Sequence, residues 1–356
     1  MAVAEYWRFT VARDCQKKNT SENHSECSLC CTMVLAHVAV MPHGAMVLDR
    51  AFPGLPPGAA TLGEGCRQAA RRLATSAPEL VVLTTPHGIA LPDAIAVYGN
   101  HELAGSAEWL GGWSNYGVQA AGDPVAADSL LECLQSGGLA SELVTAFSAG
   151  VAAPLRWGEA APLYFLQEAG LLGDGSTLAP AKVLVISWPT CRQHATEFIP
   201  IALRFGELLR SWAALQPQRV ALLASCDMSH VHEQPPGTTA MFSSDTFTPL
   251  PMIAKSFDAS ITGWAGALGR GDLAAARGLL LGDGEGESST GAAAEVVEEA
   301  KACGWGGFLT VQACLEAEAA GESGGQSRWA GELLAYEVPS YYGMMVASFS
   351  PTVAHL

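Results

Sequence analysis

Basic side chains are scarce in this chain. Only 19 Lys and Arg stand against 35 Asp and Glu in 356 residues, which leaves a formal net charge of -16 and a pI near 4.9. A protein that grips a phosphate backbone or an anionic bilayer needs a basic face, so neither nucleic acid nor a membrane is an expected partner. Long apolar runs are missing too, none approaching the roughly 20 residues that a membrane-spanning helix requires. The ten Cys follow no disulfide-framework spacing, and no secretory signal is recognisable at the start. Reduced thiols in a cytoplasmic compartment are therefore expected. Arg13, Lys17 and Lys18 are mixed with Glu5, Asp14, Glu22 and Glu26, whereas organelle transit peptides are poor in acids. A G-x-S-x-G elbow surrounds neither Ser229 nor Cys226, which disfavours a hydrolase built on either.

What is present is enough apolar material for a large core, 49% hydrophobic against 15% charged residues. Residues 1–32 stand apart as a polar, irregular N-terminal extension, with Met33 an alternative start. His24, Cys27, Cys30 and Cys31 are spaced like half of a zinc site, but no second half follows at a matching distance. Residues 33–356 read as one domain.

That domain is organised around Val81–Gly88, VVLTTPHG. A short apolar and β-branched run predicts a buried strand, Pro86 ends its ladder and Gly88 frees the turn, so His87 sits at the strand's C-terminal mouth. Val34–Gly44 repeats the arrangement with His43 between Pro42 and Gly44. Lys182–Ser187 and Arg219–Ser225 are further buried strands, and the polar strand end Cys226–Glu233 carries His230. Helices are expected over 62–76, 126–135, 194–215, 253–268, 273–281, 292–303 (capped by Gly304) and 308–319. A turn is expected around Arg156–Gly158, an irregular segment over 110–123, loops over 51–60, 234–251, 282–291 and 321–326, and a last strand pair over 333–349. Strand-helix-strand alternation predicts an α/β fold, a single domain with a mostly parallel central sheet flanked by helices and a site at the C-terminal strand ends.

Three strand ends carry His: His43, His87 and His230. Neutral imidazoles suit iron or zinc, and two His with one anionic ligand leave coordination positions open. Asp227 and Ser229 stand close enough in sequence to orient His230 as a general base. His37 reads as a satisfied core histidine, His101 and His194 as surface or cap groups, His232 and Glu233 as solvated loop residues, and Asp258 as a helix cap or partner of a basic side chain.

At this point the chain resembles a known family. MPHG (41–44), TPHG (85–88), APLYF (161–165), ASCDMSH (224–230), KSFDASI (255–261), EEAKACG (298–304) and LLAYEVPSYYG (333–343) fall in the order seen in class III extradiol dioxygenases. The set is similar to the catalytic subunit of protocatechuate 4,5-dioxygenase and its relatives, and equally to the Memo-type proteins of the same fold. The resemblance implies iron binding by His43 and His87 and a base at His230. It also implies a ferrous centre that takes a small catechol-like aromatic diol and dioxygen; a homo-oligomer is compatible with the sequence, which leaves the oligomeric state open. Where the dioxygenases carry a Glu ligand this chain has Gly307, and where Memo-type proteins carry a ligating Cys it has Cys303. The family's Asp-His-Gly is Arg156-Trp157-Gly158. With Cys303 as third ligand, zinc or copper joins iron as a candidate metal. Two functions follow, a ring-opening Fe(II) dioxygenase or a Memo-like metal-binding protein without ring cleavage.

Overall fold

The apolar runs of the sequence become the centre of one large sheet. A computed structural model describes residues 34–49, 59–109, 111–148, 150–173, 179–189, 194–230, 251–282, 292–320, 329–339 and 342–352. The elements are β1 (Leu35–Met41), α1 (Ala59–Thr75), β2 (Leu80–Thr85), β3 (Ile95–Tyr98), β4 (Glu102–Ser106), β5 (Gly117–Ala121), α2 (Pro124–Ser136), β6 (Ser141–Val144), β7 (Ala153–Leu155) and α3 (Trp157–Glu168). They continue as β8 (Lys182–Ser187), α4 (Ala195–Ala213), β9 (Val220–Ser225), β10 (Asp227–His230), α5 (Met252–Gly269), α6 (Leu273–Leu281), α7 (Ala293–Ala300), α8 (Trp305–Ala320), β11 (Trp329–Glu337) and β12 (Tyr342–Pro351). The expected N-terminal extension, with His24, Cys27, Cys30, Cys31 and Met33, lies outside the described residues, as do His232, Glu233 and most of the expected loops.

Strand order is β10-β12-β1-β9-β2-β8-β3-β6, with β11 added on β12. The middle four strands, β1, β9, β2 and β8, are parallel to one another, as are β3 and β6. The pairs β1–β12, β10–β12, β11–β12 and β3–β8 are antiparallel. The sheet is thus mixed, which corrects the expectation of a mostly parallel one. One antiparallel pair has a local cause: β11 and β12 are joined by a connection too short for a crossover, and such strands can only pair antiparallel.

Every residue of β2 and β9 is buried. On β2, Leu80 and Val82 pack on one face with α4 and α8, while Val81 and Leu83 pack on the other with α1 and α3. Strands covered on both faces carry no polar alternation, which is why these runs were legible. Each such side chain contributes about 1.5–3 kcal/mol of burial. A second sheet, β5-β4-β7, includes part of the stretch expected to be irregular; only Val118 and Ala120 of β5 are buried, and that short alternation is masked by flanking Gly. No helix among the described residues is long and apolar enough to cross a membrane.

Two local expectations change in ways that build the site. Arg156–Gly158 is the start of α3 rather than a free turn, and Ala161–Leu166 is that helix's interior; the Glu159 carboxylate accepts the Arg156 N–H at 3.1 Å across its first turn. The helix expected to reach Cys303 stops at Ala300, because Lys301 adopts a left-handed conformation (φ 52°, ψ 39°). Residues 302–304 are left as a connection, so Cys303 is not bound to a helical direction.

Candidate metal centre

The two Pro-His-Gly turns leave neighbouring parts of the sheet. His43 lies just past β1 and His87 just past β2, with β9 pairing to both strands between them. Their rings meet edge to face with centroids 4.7 Å apart. Cys303 reaches them from the α7–α8 connection, held by the Gly304 N–H on the Asp227 carbonyl at 2.9 Å. A Cβ on Gly304 would stand 2.5 Å from that carbonyl, so only glycine allows the approach. One ligand atom from each of His43, His87 and Cys303 falls within 4.8 Å of the other two.

Hydrogen bonding fixes two of the imidazoles in the ligand-ready tautomer. Ser225 Oγ gives its only hydrogen to the Gly158 carbonyl at 2.5 Å and therefore accepts from His43 Nδ1 at 3.0 Å. His43 Nε2 is left with its lone pair facing Cys303 Sγ at 3.3 Å and Asp227 Oδ2 at 3.4 Å. His230 Nδ1 donates to the Met228 carbonyl at 2.8 Å, so its Nε2 lone pair also faces Cys303 Sγ, at 3.6 Å. Electron-rich atoms thus converge with a single thiol proton to share among them. A cation fits that donor set, and two imidazoles with one thiolate are borderline-soft ligands suited to iron, zinc or copper.

Electrostatics agree. Burial, then the neighbouring His230, lowers His43 to about 3, and burial, then His43, lowers His87 to about 3, so both are neutral at ordinary pH. Burial raises the Cys303 thiol well above its usual value, with Asp227 adding to the effect. Burial likewise raises Asp227. Metal binding would displace the thiol proton.

Around this floor is a cavity of about 210 Å³ whose aromatic walls are Trp109, Trp157 and Tyr342. Trp157 lies 5.6 Å from the His87 ring, with the Arg156 guanidinium 4.6 Å from its own ring centre. Tyr342 lies 4.3 Å from His230. Gly158 permits this packing, since a Cβ there would meet His87 Cβ at 2.6 Å. The His87 turn is also held from behind: the Ile89 N–H donates to Tyr98 at 2.5 Å, and the Tyr98 hydroxyl donates to Glu159 at 3.2 Å. Burial pushes Glu159 up to about 7.

The sequence-derived residues His43, His87, Cys303 and His230 all meet here. Gly307 is not part of this cup: it packs in α8, where a Cβ would stand 2.2 Å from Cys226 Sγ, so a larger residue there requires that packing to shift. Asp227 bears electrostatically on His230, as its place in the sequence suggested, and its Oδ1 also accepts the His43 backbone N–H at 2.9 Å, bracing the second histidine. Among the described residues, Asp258 is neither a cap nor the partner of a basic group. It lies inside α5, accepts the Ser229 N–H at 3.1 Å and the Tyr336 hydroxyl at 2.9 Å, and is raised to about 6 chiefly by burial. His37 is buried and half satisfied, bonding Ser348 at 2.9 Å while its Nδ1 has no partner. His194 and His101 are exposed.

A His-His-Cys cup, buried at His43 and half-buried at His87 and Cys303, lies at the strand ends of a mixed α/β sheet, with His230 and aromatic walls around it, and could hold a metal ion. The chain belongs to the family described as the catalytic LigB subunit of aromatic ring-opening dioxygenase, which matches residues 37–262. No curated protein matches it.

Proposed function

We propose that this protein opens the ring of a small catechol-like aromatic diol with dioxygen, at Fe(II) held by His43, His87 and Cys303 where the parallel strands end. The observation carrying this reading is the convergence of three ligating atoms within 4.8 Å, in a chain of the ring-opening family. If bound there, Fe(II) would supply Lewis acidity toward the diol oxygens and a path for electrons from the diol, which is oxidised, to dioxygen, which is reduced. The chain's own groups do the rest. Trp109, Trp157 and Tyr342 confine the ring, and a cavity of about 210 Å³ suits one ring, since benzene occupies an engineered cavity of about 150 Å³. The lone pair on His230 Nε2 takes the phenolic proton, a role worth roughly 10²–10⁴-fold. The five described cysteines are free, which supports a reducing, cytoplasmic setting. The domain is proposed to span 33–356, with 1–32 an appendage.

One observation favours a second reading. The anionic position is filled by a thiol, and the place of the dioxygenase carboxylate is closed by Cys226. A Memo-like metal-binding protein that holds zinc or copper and lacks ring cleavage has that character.

The test is anaerobic loading with Fe(II), then exposure to a panel of catechols in air. Oxygen uptake with a yellow ring-fission product, slowed at least about a hundredfold in His230→Gln, is expected. Stoichiometric metal without oxygen uptake on any diol would leave the second reading standing.

A further inference from the structure

Asp258 is a buried carboxylate that the metal centre does not use. It lies two turns into α5 and is 1% exposed. An Asp inside a helix gains nothing from helical propensity, and a buried carboxylate is costly unless its oxygens are satisfied. Here two strands supply a hydrogen bond to each oxygen and a third closes on them. β10 pairs with β12 at Asp227↔Met344 and His230↔Tyr342, and the register breaks between those points. Within the break, the Ser229 N–H donates to Asp258 Oδ1 at 3.1 Å. From β11 the Tyr336 hydroxyl donates to Oδ2 at 2.9 Å. From β12 the backbone of Gly343 closes on the same oxygen, where any Cβ would stand 2.0 Å away.

We propose that Asp258, braced by Tyr336, is a positioning residue that sets the His230 imidazole in the cup. Anchoring the Ser229 N–H fixes the peptide that follows the Met228 carbonyl, and that carbonyl holds His230 Nδ1 at 2.8 Å. The ring is thereby held against Tyr342 with Nε2 turned to Cys303 Sγ, 3.6 Å away. Hydrogen bonds to a charged acceptor are the stronger kind, which suits a brace that must hold an irregular strand. The assignment rests on His230 acting in the cup, but its test reads the ring itself in metal-free protein, so it fails separately from the proposed reaction.

The experiment is solvent exchange of the His230 Nδ1 proton, followed by NMR of metal-free full-length protein with ¹⁵N-labelled histidine and assigned with His230→Gln. Asp258→Ala is expected to speed exchange by about tenfold or more, the factor that accompanies loss of a hydrogen bond to a charged group. Asp258→Asn keeps an oxygen for Ser229 and is expected to restore near wild-type exchange. Leu280→Ala, a cavity in α6 that removes no hydrogen bond to β10, serves as a destabilised control and is expected to keep wild-type exchange. Wild-type exchange in Asp258→Ala, or equal acceleration in Leu280→Ala, overturns the proposal. Should Asp258→Ala not fold, Tyr336→Phe reads the same brace: faster exchange is expected, and unchanged exchange overturns it.

Discussion

Cys303 Sγ lies 3.3 Å from His43 Nε2, although 260 residues separate them in the chain. The contact exists because Lys301 ends α7 early and Gly304 docks on Asp227, bringing the thiol to the end of β1. Both partners then offer lone pairs toward one point, and three consequences concern how the chain holds that point.

Metal loading releases protons in a countable way. His43 and His87, both near 3, are already neutral at pH 7 and release none. The raised Cys303 thiol is protonated in the metal-free protein and must lose its proton to ligate. Loading at pH 7 in weak buffer with an indicator dye is expected to release about one proton per site from wild type and none from Cys303→Ser.

Installing the carboxylate of the dioxygenases at position 307 does not make a ligand. Its Cβ would meet Cys226 Sγ at 2.2 Å in a packed part of α8. Gly307→Glu is expected to lower stability by roughly 3 kcal/mol or more, overpacking and a buried charge acting together, without raising metal affinity. Denaturant midpoints and metal titration of the two proteins check this.

The two Pro-His-Gly turns and the buried strands were legible from the chain alone, because each is a local pattern: apolar runs without alternation, a proline stop, a histidine held by glycine; Cys303 was singled out only through the resemblance to Memo-type proteins. The mixed sheet was not, since direction depends on where β12 returns. Neither was Asp258, whose partners Ser229 and Tyr336 come from two other strands, nor the bond from Asp227 to the His43 backbone. Long-range hydrogen bonds leave no periodic trace. Trp157 was noticed only as a departure from a family pattern; that it walls the cavity beside His87 follows from the helix start at Arg156.

Gly158 should matter to metal binding as well as to folding. A methyl group there meets His87 Cβ at 2.6 Å and Thr85 Oγ1 at 2.9 Å, so the His87 turn must shift. Gly158→Ala is expected to weaken metal affinity by roughly tenfold or more, as displacement of a ligand's support commonly does, while thermal stability falls by about 1–3 kcal/mol. Competition with a chelator of known affinity measures the first effect and calorimetry the second.

Glu159 gives the fold a pH dependence of defined sign. Its folded value, near 7, lies above the ordinary carboxylate value of 4.5, so the folded state favours the protonated form. Its contribution is fully present below pH 4.5 and is lost as pH rises through 7. Unfolding free energy should therefore carry a component that falls across this window, by roughly 3 kcal/mol at most. Glu159→Gln is expected to lack that component when denaturant curves are compared at pH 5 and pH 8.

The most direct test of the metal cup is anomalous diffraction from crystals of the full chain loaded with Fe(II) or zinc, collected at the metal edge. The account predicts one strong peak bonded to a nitrogen of His43, a nitrogen of His87 and Cys303 Sγ, and its loss in His87→Ala. A peak at other residues, or an empty cup in crystals that hold the metal elsewhere, would contradict it.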